Sequence, residues 1–256
     1  MPPIIPTAEP FFFPGNAIGC LLVHGFTGTP KEMRWMGEYL NRQGFTAMGV
    51  RLAGHATTVE DMIHTTYTDW LASVADGFHL LSGMVDHVYI MGLSMGGSLS
   101  LATAARLPVK GVVAMSTPYK LPEDERLAYI DTLAETMPYL PEGDEPPGSG
   151  WFDQDAWREH VSYTKKPVRS IGQLNLLLGE MRADLRRVTA PVLLIHSHND
   201  KTVEPAAMPA IYNELGSQDK QMLWVENSCH VITRDGQRET VFRAAADFVR
   251  KLEKTS

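Results

Sequence analysis

Residues 92–96 read Gly-Leu-Ser-Met-Gly, with Gly97 behind them. They lie between an apolar run, residues 87–91, and a helix-like segment, residues 98–107, that stops at Pro108. A strand must therefore become a helix within a few residues. Such a turn brings the positions two residues before and after the serine nearly into contact, so both must lack a side chain. Gly92 and Gly96 meet that requirement, and the turn lifts the Ser94 hydroxyl clear of the sheet. The helix behind it offers unpaired N–H groups and a positive dipole end. In isolation the pattern reads equally as an ordinary glycine turn. Its strand-turn-helix context and its companion motifs set it apart.

Along the rest of the 256 residues, short apolar runs alternate with helical patterns. Ile18–Val23 is a continuous apolar run, as in a strand covered on both faces. Residues 30–43 read as a helix with Pro in its first turn and Gly44 at its end. Residues 45–50 form the next strand and residues 69–82 the next helix, with Trp70, Val74 and Leu81 facing the core. After the glycine turn come strands at Gly111–Met115, residues 191–196 and residues 221–225, and helices at residues 205–215 and 237–252. Val241, Ala245, Phe248 and Leu252 form one stripe of the last helix. Strands separated by helices predict an α/β fold: a mainly parallel sheet flanked by helices on both faces.

One region breaks the alternation. Between Met115 and Pro191 no strand signal occurs; residues 123–136 and 170–188 look helical, the latter through Ile171, Leu174, Leu178, Met181 and Leu185. Residues 138–150 between them are rich in Pro and Gly, and Trp151, Phe152 and Trp157 follow together. An insertion this long in a compact domain is usually functional. The expected division is a core of residues 1–118 and 189–256, with a helical cap of residues 119–188 inserted before the strand that leads to Asp200. The cap aromatics Tyr129, Tyr139, Trp151, Phe152 and Trp157 are candidates for an apolar lining.

Asp200 follows the strand at residues 191–196, at the carboxyl edge where open α/β sheets place their sites. His230 lies in the loop after the next strand, within Asn227-Ser228-Cys229-His230-Val231. A serine hydroxyl is a poor nucleophile until a neutral imidazole takes its proton, and a buried carboxylate fixes that imidazole's tautomer. Ser94, Asp200 and His230 are the candidate nucleophile, orienting acid and base. Glu226 also follows a strand and is the nearest rival acid, and His196 and His198 both fall near Asp200. His24-Gly25-Phe26-Thr27-Gly28 follows the first strong strand, where a loop can supply a second oxyanion donor. The backbone N–H groups of Phe26 and Met95 are assigned that role, and His24 is expected to brace the loop. The candidate substrate-binding set is Phe26, Met95, Trp151, Val203 and Val231.

Composition narrows the partners. A net charge of −7 disfavours nucleic acid, and no apolar run reaches the length of a spanning helix. The first fourteen residues lack Lys and Arg and are rich in Pro, unlike a secretory signal. The two cysteines, Cys20 and Cys229, are too few for a disulfide framework and lack metal-ligand spacing. A cytoplasmic protein, monomeric or weakly dimeric, without metal or cofactor, is expected.

The segments His24-Gly25-Phe26-Thr27-Gly28, Gly54-His55, Gly92 to Gly97, His198-Asn199-Asp200 and Ser228-Cys229-His230-Val231-Ile232-Thr233 together resemble the α/β-hydrolases of the bacterial carboxylesterase and monoacylglycerol lipase group. The resemblance runs from near residue 18 to the C-terminus, the cap excepted. It implies hydrolysis of carboxylic esters, short to medium in chain length, through an acyl-enzyme without metal or cofactor. Monoacylglycerol lipase is the alternative, and thioesterase, carbon–carbon bond hydrolase and non-catalytic ligand receptor are further rivals. Cys229 departs from the Gly that relatives often carry before the histidine.

Overall fold

The computed structural model describes residues 3–140 and 146–254. In chain order its elements are β1 (Phe11–Phe13), β2 (Ile18–Val23), α1 (Lys31–Arg42), β3 (Thr46–Val50), α2 (Val59–Ile63), α3 (Tyr67–Ser82), β4 (His87–Leu93), α4 (Met95–Ala104) and β5 (Gly111–Met115). They continue with α5 (Ile130–Thr136), α6 (Gln154–Arg158), α7 (Val168–Asp184), β6 (Val192–Ser197), α8 (Ala207–Glu214), β7 (Lys220–Val225) and α9 (Arg238–Lys254). The seven strands form one sheet in the order β1-β3-β2-β4-β5-β6-β7. All pairings are parallel except β1 with β3.

The continuous apolar strands are explained by burial on both faces. Leu21, Val23, Ile90, Val112, Ala114, Val192 and Leu194 enter one core cluster with Trp70, Val74 and Leu81 of α3 and Leu99 and Leu101 of α4. Their alternating neighbours Cys20, Leu22, Met91, Val113, Met115, Leu193 and Ile195 enter a second cluster with Met33, Met36 and Leu40 of α1 and Val241, Ala245 and Phe248 of α9.

The local differences from the sequence reading have physical causes. β1 escapes a pattern search because three consecutive phenylalanines show no alternation; it is an antiparallel edge strand on β3. Helix α3 starts two residues earlier than expected because Thr66 and Asp69 form a reciprocal capping box. Helix α4 starts at Met95, three residues early, because Ser94 itself is its N-cap, so Gly96 and Gly97 are already helical. The expected helix at residues 123–136 is instead a 3-10 segment, Glu125–Tyr129, followed by α5.

Packing also divides the insertion. Leu174, Leu177, Leu178, Met181 and Leu185 are buried in the same cluster as α3 and α4, so α7 is packed as a core helix. The part of the expected cap that precedes α7 carries most of the exposed surface, and its loop at residues 138–150 lies in part outside the described residues. Among the described residues no helix is long and apolar enough to cross a membrane.

Candidate active site

Ser94 closes the gap between β4 and α4 at φ 55° and ψ −121°, a conformation costly for any residue with a Cβ. Its amide donates to the Met115 carbonyl at the end of β5, which holds the turn against the sheet (2.8 Å). A methyl group at Gly92 would fall on the Gly96 backbone, so the two glycines do approach as the spacing implies. At Gly96 the obstruction comes from elsewhere: a methyl there would meet the carbonyls of Val23 and His24 beyond the end of β2. The turn is therefore constrained by its neighbouring strand as well as by itself.

Asp200 follows β6 in a tight turn, its Oδ1 accepting the Thr202 and Val203 amides at 2.8 and 2.9 Å. His230 comes from the loop after β7. That loop is tied to the Asp200 loop by Ser197 Oγ donating to the Ser228 carbonyl (2.6 Å) and by the Asn227 amide donating to Asn199 Oδ1 (2.8 Å). The two loops bring His230 Nδ1 to 2.8 Å from Asp200 Oδ2 and His230 Nε2 to 2.8 Å from Ser94 Oγ. An ionised carboxylate accepts only, so Nδ1 carries the proton and Nε2 is left to accept from the serine. Burial alone would raise the Asp200 carboxyl. Hydrogen bonds from His196, His230 and the backbone outweigh it and hold the group well below the usual carboxylate range.

The other sequence candidates fall as follows. Glu226 is exposed, 3.9 Å from His198, whose ring stacks on Trp224; neither approaches the Ser94 set. His24 is fully buried, with Nδ1 donating to the Gly25 carbonyl (3.0 Å) and Nε2 accepting from the Leu52 amide (3.2 Å), which braces the loop. Burial, the neighbouring His55 and Arg51 keep its pKa well below the ordinary histidine value. Met95 opens α4, so its N–H has no acceptor inside the helix. The Met95 side chain is 0% exposed and belongs to the core cluster. Phe26 is partly exposed, its ring edge-on to Trp70 at 6.2 Å. Val203 and Val231 are half-buried beside the acid and base, and Trp151 packs against His160 at 5.2 Å.

Three residues were not anticipated, and a fourth, His196, was expected only to fall near Asp200. Glu32, in the first turn of α1, is buried and accepts the Gly25 amide through Oε2 (2.9 Å). Its Oε1 lies 3.6 Å from His160 Nε2. Burial pushes the Glu32 carboxyl up to about 7 and, with Arg234, Lys31 and His230 adding to it, the His160 imidazole down to about 4. Asp235 is fully buried and accepts the amides of Phe152 (3.0 Å), Asp153 (2.6 Å) and Cys229 (2.5 Å). His196 joins Asp200 from β6. Only His196 carried a sequence signal, its spacing of four from Asp200; the others are ordinary charged residues until the loops meet.

The insertion is stitched onto the loop bearing Phe26. The Tyr163 amide donates to the Thr27 carbonyl (2.9 Å) and Thr29 Oγ1 to the Val161 carbonyl (3.2 Å). Tyr163 Oη donates to the Gly54 carbonyl and accepts the Thr57 amide, both at 2.9 Å. Among the described residues no cluster of His, Cys, Asp and Glu could hold a metal ion.

A parallel sheet with helices on both faces and a serine on a strained strand-to-helix turn define an α/β-hydrolase. The chain belongs to the hydrolase family described as serine aminopeptidase, S33, whose model matches residues 17–237. It is 32% identical over 249 residues to a carboxylesterase of Bacillus subtilis (strain 168), covering 96% of this chain and 98% of that one. It is 34% identical over 258 residues to a thermostable monoacylglycerol lipase of Bacillus sp. (strain H-257), covering 97% of each. A solved structure of a metagenome-derived lipolytic enzyme, from the pair LipS and LipT, superposes with a TM-score of 0.87 at 33% identity, over 97% of this chain and 100% of that one. The protein is a carboxylic ester hydrolase of the esterase and lipase type.

Proposed function

We propose that this enzyme cleaves short- to medium-chain carboxylic esters with Ser94 as nucleophile, His230 as general base and acid, and Asp200 as the orienting carboxylate. The observation that carries this reading is the unbroken relay of two 2.8 Å contacts from Ser94 Oγ through His230 to Asp200. Ser94 Oγ gives its proton to His230 Nε2 and bonds to the ester carbonyl carbon. The carbonyl oxygen, now an anion, lies against the N–H groups of Phe26 and Met95, each such donor being worth ~10²–10³ in turnover. Nε2 then protonates the departing alkoxide, and the C–O bond to it breaks. Water gives a proton to Nε2 and attacks the acyl carbon. The acid leaves as Ser94 Oγ recovers that proton. Each proton that leaves an oxygen returns to one, so no further co-reactant is required.

Residues 119–167 act as the cap over this site, with Phe26, Trp151, Val203 and Val231 at the pocket. The bonds joining Tyr163 and Val161 to the Phe26 loop, and the approach of His160 to Glu32 of α1, support that placement. A second reading, monoacylglycerol lipase, is favoured by the relative of that name. The two unpaired thiols support a cytoplasmic location, and the net charge of −7 a protein that does not bind nucleic acid.

A fluorophosphonate ester tests the nucleophile. One equivalent should abolish turnover and, as fluoride leaves with the hydroxyl proton, add the mass of its phosphonyl group to the peptide containing Ser94, and Ser94→Ala should neither label nor retain more than ~10⁻⁴ of the activity. Labelling elsewhere, with Ser94→Ala still active, would overturn the assignment.

A further inference from the structure

Asp200 has more partners than orienting one imidazole requires. Its Oδ1 is occupied by two backbone amides, and its Oδ2 accepts His230 Nδ1. The same Oδ2 also lies 3.1 Å from Nε2 of His196. His196 is the penultimate residue of β6 and alternates with Val192 and Leu194 on the sheet face that packs against α3 and α4. It is 1% exposed, and the Asp200 side chain is 0% exposed. An aliphatic residue would suit that face without any cost of burying polar atoms; an imidazole suits it only with a polar partner. Besides Asp200 Oδ2, the group near Nε2 is the Val203 carbonyl at 3.4 Å. Both are acceptors, so Nε2 carries a proton and donates.

We propose that His196 is a positioning residue that shares the Asp200 carboxylate with His230, an inference that rests on the Ser94, His230 and Asp200 reading. Two consequences follow from the geometry. Held by two amides on one oxygen and by His196 on the other, the carboxylate cannot rotate Oδ2 away from His230. Sharing also spreads the charge on Oδ2, so Asp200 binds the protonated His230 ring less tightly than an unshared carboxylate would. Removing His196 should therefore tighten the hold of Asp200 on the protonated ring and move the acid limb of the rate profile upward. The titratable groups facing Asp200 are His196, His230 and the Cys229 thiol, the last kept protonated by burial. Those facing His230 include Glu32 and His160. Of all these, His196 alone lies beside the oxygen that His230 uses, its Nε2 at 3.1 Å.

The test measures kcat and KM against pH for p-nitrophenyl butyrate, by acid release at constant pH, in the full chain. Wild type, His196→Leu and His196→Gln are compared, with Ser94→Ala and Asp200→Asn alongside. His196→Leu should lose roughly tenfold in kcat with KM within about twofold, the scale of one hydrogen bond to a charged group. Its acid limb should move up by about half a pH unit or more. His196→Gln, whose amide reaches the same oxygen, should recover most of both changes. An unmoved acid limb in folded His196→Leu, or an equal loss in the Leu and Gln variants, overturns the proposal while leaving the Ser94 reading intact if Ser94→Ala and Asp200→Asn are inactive. An active Ser94→Ala sinks both. Should His196→Leu not fold, the Nε2 proton of His196 can be followed by NMR in the otherwise unmutated protein. It should resonate far downfield and shift strongly in Asp200→Asn; a proton indifferent to that change overturns the inference.

Discussion

Ser94 combines two demands in one residue: in the proposed mechanism it carries the reacting oxygen, and its backbone sits at φ 55°, ψ −121°. Strain of that kind costs about 1–3 kcal/mol and is tolerated because the Gly92 and Gly96 contacts and the Met115 carbonyl leave the chain no other path. Ser94→Ala and Ser94→Gly should both be inactive, but the Gly variant should melt higher than the Ala variant, reversing the usual penalty for glycine. Thermal unfolding of the pair measures this; a lower melting temperature for Ser94→Gly would mean the turn is unstrained. Glu32 sets a different constraint. Its native carboxyl titrates near 7 against 4.5 for the free group. Between those values the native state retains a proton that the unfolded chain has lost, so stability falls as pH rises through that window and stays reduced above it. Glu32→Gln keeps an acceptor for the Gly25 amide and removes the titration. Wild type should therefore lose more melting temperature than Glu32→Gln between about pH 5 and pH 8, and parallel curves would show that the buried carboxyl is not the cause.

Among the elements, the decisive contacts join the insertion to the loops at the strand ends. Asp235 holds the amides of Phe152 and Asp153 from one side and of Cys229, next to His230, from the other. Asp235→Ala would leave three amides without this acceptor, the buried one of Cys229 and the part-buried ones of Phe152 and Asp153, a loss of about 3 kcal/mol. The melting temperature should drop by roughly 10 °C, and kcat should fall with it because the His230 loop loses an anchor. Tyr163→Phe removes only the bonds to Thr57 and Gly54, so a cost of ~1–2 kcal/mol and a smaller effect on kcat are expected. Equal consequences from the two substitutions would show that Asp235 has no special connection to His230.

For the whole molecule, specificity depends on what the proposed cap admits. An acyl chain leaving Ser94 gains up to ~0.8 kcal/mol for each buried CH₂, or roughly threefold to fourfold per methylene until the pocket is full. Catalytic efficiency should rise from acetyl toward butyryl and octanoyl esters and then fall. Monoacylglycerol lipase predicts sustained turnover to lauroyl and beyond with glycerol as the alcohol. A series of p-nitrophenyl esters beside 1-monoacylglycerols, at matched sub-micellar concentration, separates the two readings. Replacing residues 138–150 with a short Gly-Ser link should flatten the profile and preserve acetyl ester hydrolysis; an unchanged profile would remove that loop from specificity.

The parallel core and the serine turn were legible in the chain because each leaves a local mark, and the strand-end positions of Asp200 and His230 are ones the structure joins to Ser94 by hydrogen bonds. Strands buried on both faces must be continuously apolar, a turn that tight must have glycines, and sites in such sheets must follow the strand ends. The short edge strand β1 left no mark because its three phenylalanines have no period, and α4 began early because its cap is Ser94, the residue of the turn itself. Whether α7 is cap or core could not be read from its apolar stripe, since either surface would bury Leu174, Leu178 and Met181 alike. The charges on Glu32 and Asp235 gave no signal, and His196 gave only its spacing. Each is an ordinary residue along the chain, and its role depends on which distant amides, imidazoles and carboxylates the fold brings within hydrogen-bonding reach. Periodicity and turn chemistry are properties of neighbours in sequence and so belong to the sequence. Burial of a charge and the sharing of a carboxylate are properties of neighbours in space, and only the tertiary structure decides them.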